Sequence, residues 1–338
     1  MEILEKIKPR NLDDGLETSN PQDSCFAPDV LCDIFEEIIR SPKQIHGAVL
    51  GCKGKIFAEA YSSSHNELVL HPMMSVTKSI TSLLLGIAID KGYIESENIR
   101  LIEYFPEFNG HFDDKLKREI RLKHILTHTS GFFWRELGID YESNENSHFL
   151  MENSPDWFEF ILSRPMEHIP GEIFEYNTGA YHLFSAILKR ATGLSADKFA
   201  YQNLLEPLMI EGFTWSRDNL EYPCVAGSRS GVSLTPRSLL KIGFTILNSG
   251  LYKNRRIVSA DWLNRTLSPV LKAPQGNYYG YGWWLGKLRT LNCYSAKGYA
   301  GQTLTLIPKL DLAAVFTGYD LELNKSYEHI LVRLVRKY

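Results

Sequence analysis

Hydrophobic and polar positions follow two different periods along this chain, and the change from one to the other divides it. In residues 29–40, Leu31, Ile34, Phe35, Ile38 and Ile39 recur at helical spacing, which predicts an amphipathic helix with one face to bury. The runs at 46–52 and 55–61 have strand character, and Lys53-Gly54 between them predicts a tight hairpin. Two strands alone are not stable. The missing ones are predicted near the other end of the chain, at 280–286, 302–308 and 312–318, followed by an amphipathic helix over 322–336. Between them the pattern is helical, with segments at 79–90, 123–127, 155–162, 181–191, 196–205, 237–247 and 260–267. Residues 1–28, broken by Pro9, Gly15, Pro21 and Pro28, read as an irregular lead-in. The pattern as a whole predicts an α+β fold. Residues 29–72 and 275–338 would build a five-stranded antiparallel sheet with terminal helices on one side, and residues 73–274 an inserted helical lobe.

Composition narrows the function classes. With 338 residues, 44% of them hydrophobic, the chain can bury a large core. A net charge of −3 gives no basic footprint for nucleic acid or an anionic membrane, which points to a small-molecule partner. No stretch has the length and apolarity of a membrane span, and the N-terminus lacks the apolar core of a secretory signal. Taken as complete, the chain is expected to be cytoplasmic. Its five cysteines are odd in number, widely spaced and without a Cys-x-x-Cys pair, which argues against a disulfide framework and a zinc cluster. Nothing in the sequence sets the oligomeric state.

The candidate chemistry begins at Ser75-Val-Thr-Lys78, where the extended run His71-Pro-Met-Met hands over to a long apolar helix. A hydroxyl and an amine three residues apart share a helix face, and the helix N-terminus favours the negative charge of an oxyanion. The same spacing recurs at Ser195/Lys198 and Ser238/Lys241, but Ser195 reads as an N-cap and Ser238 lies inside a helix started by Thr235 and Pro236. Ser75 could itself be only an N-cap. A second element, Glu175-Tyr176-Asn177-Thr178-Gly179, puts a tyrosine on a polar loop before a helix, where it could relay a proton or merely anchor a turn. In the third, Lys297-Gly-Tyr299-Ala-Gly301-Gln302, glycines lead into a strand. The backbone N–H of Gln302 could join that of Ser75 as two oxyanion donors, against the plainer reading of a bulge.

These three elements, in this order, resemble the serine beta-lactamase and penicillin-recognising superfamily, in its class C-like esterase and amide-hydrolase branch. The resemblance extends to His124-Ile-Leu-Thr-His-Thr-Ser-Gly131, Ser233-Leu-Thr-Pro-Arg-Ser-Leu-Leu-Lys-Ile-Gly243 and Gly280-Tyr-Gly-Trp-Trp-Leu285, and covers residues 45–320. It implies a beta-lactamase/transpeptidase-like fold and an acyl-enzyme on Ser75. Lys78 would be the base or hold the proton network, and Tyr176 would assist acylation and deacylation. It implies no metal and no organic cofactor. On this reading desolvation lowers the lysine pKa, and the lysine charge lowers that of the tyrosine.

Two departures bear on the substrate. The family's Tyr-x-Asn is here Tyr176-Asn177-Thr178, which leaves open whether Asn177 or Thr178 meets the substrate. Its Lys-Thr-Gly is here Tyr299-Ala300-Gly301, which removes a cation suited to a carboxylate and favours a neutral ester or small amide. Trp134, with Phe132, Phe133, Trp283 and Trp284, is a candidate for lining an acyl pocket, against the alternative of core packing. Beta-lactamase or D-alanyl-D-alanine peptidase activity, and a catalytically silent binding protein, are the competing functions. An α/β-hydrolase is excluded because Gly227-Ser-Arg-Ser-Gly231 has arginine at the centre of the elbow. His124 and His128 have a metal-ligand spacing, but neither a glutamate between them nor a third ligand is evident.

Overall fold

The computed structural model describes residues 2–40, 45–274, 276–319 and 327–338. Its principal elements, in chain order, are α1 (Pro28–Arg40), β1 (Ile45–Cys52), β2 (Lys55–Tyr61), α2 (Val76–Asp90), α3 (Thr178–Thr192), α4 (Pro236–Leu247), β3 (Trp284–Leu288), β4 (Leu291–Gly298), β5 (Gln302–Ile307), β6 (Leu312–Gly318) and α5 (Glu328–Leu334). Short helices and loops fill the interval between α2 and β3.

Strands from both ends of the chain meet in one sheet, because β1 pairs antiparallel with β6, Val49 opposite Val315. The order is Glu17–Thr18, β2, β1, β6, β5, β4, β3, Tyr278–Tyr279, Leu271–Lys272, with only the first pair parallel. Nine strands among the described residues replace the five expected. One expected strand, at 280–286, is displaced to β3, and residues 280–283 turn instead, Gly282 at φ +80°. Four strands have no counterpart in the expectation, Glu17–Thr18, Leu271–Lys272, Tyr278–Tyr279 and, the longest, β4. After Leu291 its buried positions are Cys293 and Ser295 on one face and Ala296 on the other, with Ser295 Oγ bonded to Thr305 Oγ1 at 3.0 Å, so small side chains hide the alternation. The Lys53-Gly54 hairpin forms as expected, both residues at positive φ.

Alternation along the central strands feeds two cores. In β6, Leu312, Ala314 and Phe316 face α1 and α5, where Leu31, Ile34, Phe35, Ile330 and Leu331 are buried. Ala313 and Val315 face the helical side, which holds the larger core. Residues 2–28 contribute to both, Ile7 and Phe26 to the first and Leu16 to the second. The expected last helix is observed as α5, and residues 322–326 of that expectation lie outside the described residues.

Two features fix how the helical side meets the sheet. On α4, Arg237 donates to both carboxylate oxygens of buried Glu59 on β2, at 2.9 and 2.7 Å, to Asp14 at 2.9 Å and to the Arg10 carbonyl at 2.6 Å. A buried guanidinium is tolerated because each face of its fork meets an acceptor. Helix α2 is buried from Val76 to Ala88 and is apolar on nearly every side, so it forms the centre of the molecule.

Gly86 lets the helix Ala260–Thr266 approach α2 closely. A Cβ at Gly86 would lie 2.1 Å from the Trp262 ring, which is anchored by its Nε1 to the Ser82 carbonyl at 3.0 Å. Gly86→Val is therefore expected to destabilise the fold by roughly 1–3 kcal/mol through overpacking, read as a lower denaturation midpoint in urea.

Candidate active site

Ser75 occupies the N-cap of α2, yet with φ −66° and ψ −9° its side chain makes no capping bond. Its hydroxyl is thus not spent on the helix. Met74 before it has φ +49°, a left-handed backbone that costs a non-glycine residue roughly 1–3 kcal/mol. Bonds from Met73 N to Val232 O (2.8 Å) and Met74 N to Ser230 O (3.0 Å) hold the turn. Gly227 lies against it, where a Cβ would come within 2.6 Å of the Ser75 nitrogen.

One turn along, the Lys78 amine is buried and donates to Ser75 Oγ at 2.9 Å, Thr178 Oγ1 at 3.0 Å and the Ala226 carbonyl at 2.6 Å. Burial pushes it down to about 8, and the Glu136 carboxylate opposes that shift. The other serine and lysine spacings have different partners. Lys241 donates to the Met209 carbonyl at 2.7 Å, and Ser238 bonds to Thr235.

Tyr176 lies over Lys78, with the amine 4.7 Å from its ring centroid. The expected direction of its titration is overturned. Burial and then the Glu136 carboxylate push the phenol up, and the Ser75 hydroxyl only partly opposes them. At neutral pH the tyrosine is therefore a proton donor, and the lysine is the group close to losing its proton. His128 packs beneath Tyr176 at 4.3 Å between ring centroids and accepts from Asn177 N at 3.1 Å. His124 accepts from Arg121 N at 3.2 Å, so both histidines of that pair have structural partners.

The departure at 177–178 resolves into two jobs. Asn177 Oδ1 caps α3 by accepting from Ala180 N at 2.7 Å, and Thr178 Oγ1 receives the lysine. Thr178 in turn donates to Glu136 from Oγ1 (2.6 Å) and from its backbone N (2.9 Å). Glu136 also accepts from Trp134 Nε1 at 2.8 Å and from the Tyr141 hydroxyl at 3.3 Å. This corrects the expectation for Trp134. It is fully buried behind the site, its indole N–H committed to Glu136, and does not line the cleft.

The cleft beside Ser75 measures about 610 Å³. Tyr176, Trp284, Tyr299, Gly301 and the loop from Leu137 to Tyr141 wall it. Of the expected residues, Tyr299 and Gly301 are there, on the turn between β4 and β5. Gln302 turns its side chain inward to the Gly318 carbonyl (2.6 Å) and does not line the cleft. Lys297 also lines the cleft, with its ammonium 2.6 Å from Glu328. Sequence reasoning missed Glu136 and the 137–141 loop, for no periodicity or motif marks either. Glu136, a buried carboxylate near Ser75, already accepts four hydrogen bonds.

A large antiparallel sheet backed by terminal helices, with a Ser-x-x-Lys helix at its junction with a helical layer, defines a beta-lactamase/transpeptidase-like fold. The beta-lactamase family model matches residues 35–328, and the chain belongs to that family. It is 25% identical over 286 residues to the 6-aminohexanoate-dimer hydrolase of Paenarthrobacter ureafaciens, covering 77% of this chain and 69% of that one. To esterase EstB of Burkholderia gladioli it is 23% identical over 282 residues, covering 71% and 69%. Among solved structures, EstCE1, described as a hydrolase with promiscuous acyltransferase activity, superposes with a TM-score of 0.73 at 14% identity, covering 90% of this chain and 98% of that one. At that identity the likeness is one of fold.

The lowered lysine has a consequence for stability. From a solvated value of 10.5 it falls to about 8 in the fold, so between these values the unfolded chain binds more protons and stability rises with pH. Relative to Lys78→Met, the wild type is expected to gain about 3 kcal/mol across that window, measured by parallel urea unfolding at its two ends.

Proposed function

We propose that this protein is a serine hydrolase that cleaves a carboxylic ester or a small amide through an acyl-enzyme on Ser75. The observation that carries the reading is the 2.9 Å bond between Ser75 Oγ and a buried Lys78 amine lowered to about 8. A neutral Lys78 takes the Ser75 proton as Oγ attacks the substrate carbonyl. The developing oxyanion lies at the N-terminus of α2, within reach of the backbone N–H groups of Ser75 and Gln302. Tyr176, still protonated, gives its proton to the leaving alcohol or amine and regains one from Lys78. Water then attacks the ester, its proton returns through the same groups, and Ser75 leaves as the hydroxyl. No step calls on a metal or an organic cofactor.

The substrate class follows from the walls. Tyr299 is an aromatic at the cleft mouth, and the nearby Lys297 is engaged by Glu328, so among the described residues no unpaired cation lines the cleft to await a substrate carboxylate. Trp284 and Tyr176, stacked at 6.2 Å, offer an apolar surface to an acyl chain. An amide hydrolase and an esterase among the relatives support both bond types.

Brief exposure to p-nitrophenyl butyrate is expected to add one butyryl group, detected by intact-protein mass spectrometry. Ser75→Ala should lose the adduct and at least about a thousandfold in turnover. A folded wild type that neither hydrolyses the ester nor reacts with a fluorophosphonate would instead be a silent binding protein. Because protonated Lys78 cannot accept the serine proton, kcat/KM should rise about tenfold per pH unit and level off above about 8. Glu136→Gln should move that midpoint to lower pH, since its carboxylate holds the lysine up.

A further inference from the structure

Three histidines that play no part in the cleft lie together at the start of the sheet. His46 is the second residue of β1, His65 is on the loop after β2, and His71 pairs with Leu234 in a short strand. Their rings are stacked or tilted against one another, with centroids 4.1 Å apart for His46 and His65, 5.2 Å for His65 and His71, and 5.7 Å for His46 and His71. One ring nitrogen from each lies within 4.8 Å of the other two.

Two details distinguish this cluster from simple ring packing. His71 is 3% exposed, and its Nε2 is buried with no hydrogen-bond partner, a costly arrangement for a polar atom. On His65 it is Nδ1 that is occupied, by Ser62 Oγ at 2.8 Å and Ser64 Oγ at 3.0 Å, which leaves Nε2 to serve as a donor. Metal-binding imidazoles are oriented by a hydrogen bond from the other ring N–H to an oxygen, and here serine hydroxyls offer that oxygen.

We propose that His46, His65 and His71 form a binding site for a divalent transition-metal ion, zinc being the probe, with solvent completing its coordination. Three imidazoles without thiolate or carboxylate suit zinc, copper or nickel and are poor ligands for calcium or magnesium. A tetrahedral zinc ion at about 2.0–2.1 Å from each nitrogen sets them roughly 3.4 Å apart, so nitrogens that now lie within 4.8 Å of one another need close by at most about 1.4 Å. His65, half-buried on a loop, supplies that movement. The ion would clip the loop after β2 to the strand at His71, which runs through Met73 and Met74 into Ser75.

The test uses the full chain without an affinity tag, stripped with a chelator and titrated with zinc alone, bound metal being measured by equilibrium dialysis. One equivalent is expected, with a melting temperature that rises as zinc is added. His65→Ala and His46→Ala should each weaken binding by at least about tenfold, no less than loss of an outer-shell partner costs. Their melting without metal shows whether they fold. Cobalt, as a spectroscopic stand-in, should give intense visible bands of a tetrahedral site in the wild type, a readout that needs no variant. Failure of the folded wild type to take up one equivalent saturably overturns the proposal, as does full affinity retained in both variants.

Discussion

A lysine amine buried away from water is the constraint around which this molecule is organised. Solvent cannot hydrate Lys78, so the fold must present oxygen to it from three directions. These are the Ser75 hydroxyl on its own helix, Thr178 at the start of α3 and the Ala226 carbonyl from the segment before α4. Each oxygen has its own requirements. Thr178 is fixed by Glu136, Glu136 by Trp134, and the segment at Ala226 by the close approach of Gly227 to Met74 and Ser75. The positions of distant segments are thus set by the needs of one ammonium group.

The two sides of the cleft come from the two sides of the fold. The sheet contributes the tight turn between β4 and β5, with Ala300 and Gly301 at positive φ, and this carries Tyr299 to the mouth. The helical side contributes the 137–141 loop, and Tyr141 meets Tyr299 edge to face at 5.7 Å. Glu136 binds that loop to the lysine network through the Tyr141 hydroxyl. Cleft shape and proton chemistry therefore share a residue, and a change in one is felt in the other.

Sequence was a good guide wherever the cause was local. The Lys53-Gly54 hairpin, the Thr235 cap with Pro236 after it and the meeting of Ser75 with Lys78 depend on neighbours within a turn. The sheet built from both ends was legible from the periodicity of its longest strands. What escaped depends on partners far away in the chain. Beyond Leu291, strand β4 buries cysteine, serine and alanine, so its apolar stripe is too faint to read. Glu136 looks like any acidic loop residue until Thr178 and Trp134 fold onto it. For Trp134 the sequence leaves both a cleft wall and core packing open, and what decides for the core is its indole N–H bond to Glu136, which exists only in the fold. Tyr176 was found from its motif, but the direction of its titration depended on burial, which no local pattern reports.

Arg237 has a further implication, for how such a chain can diverge. It sits in the middle of the sequence, yet its partners, Asp14, the Arg10 carbonyl and Glu59, all lie in the first sixty residues or so. Losing Glu59 would leave the buried guanidinium with only Asp14 and a carbonyl, and losing the arginine would leave the Glu59 carboxylate in the core without its cation. The opening segment and α4 can therefore change only in concert. An exchange of gene segments between distant homologues that separated them would join halves that each carry an unmatched charge.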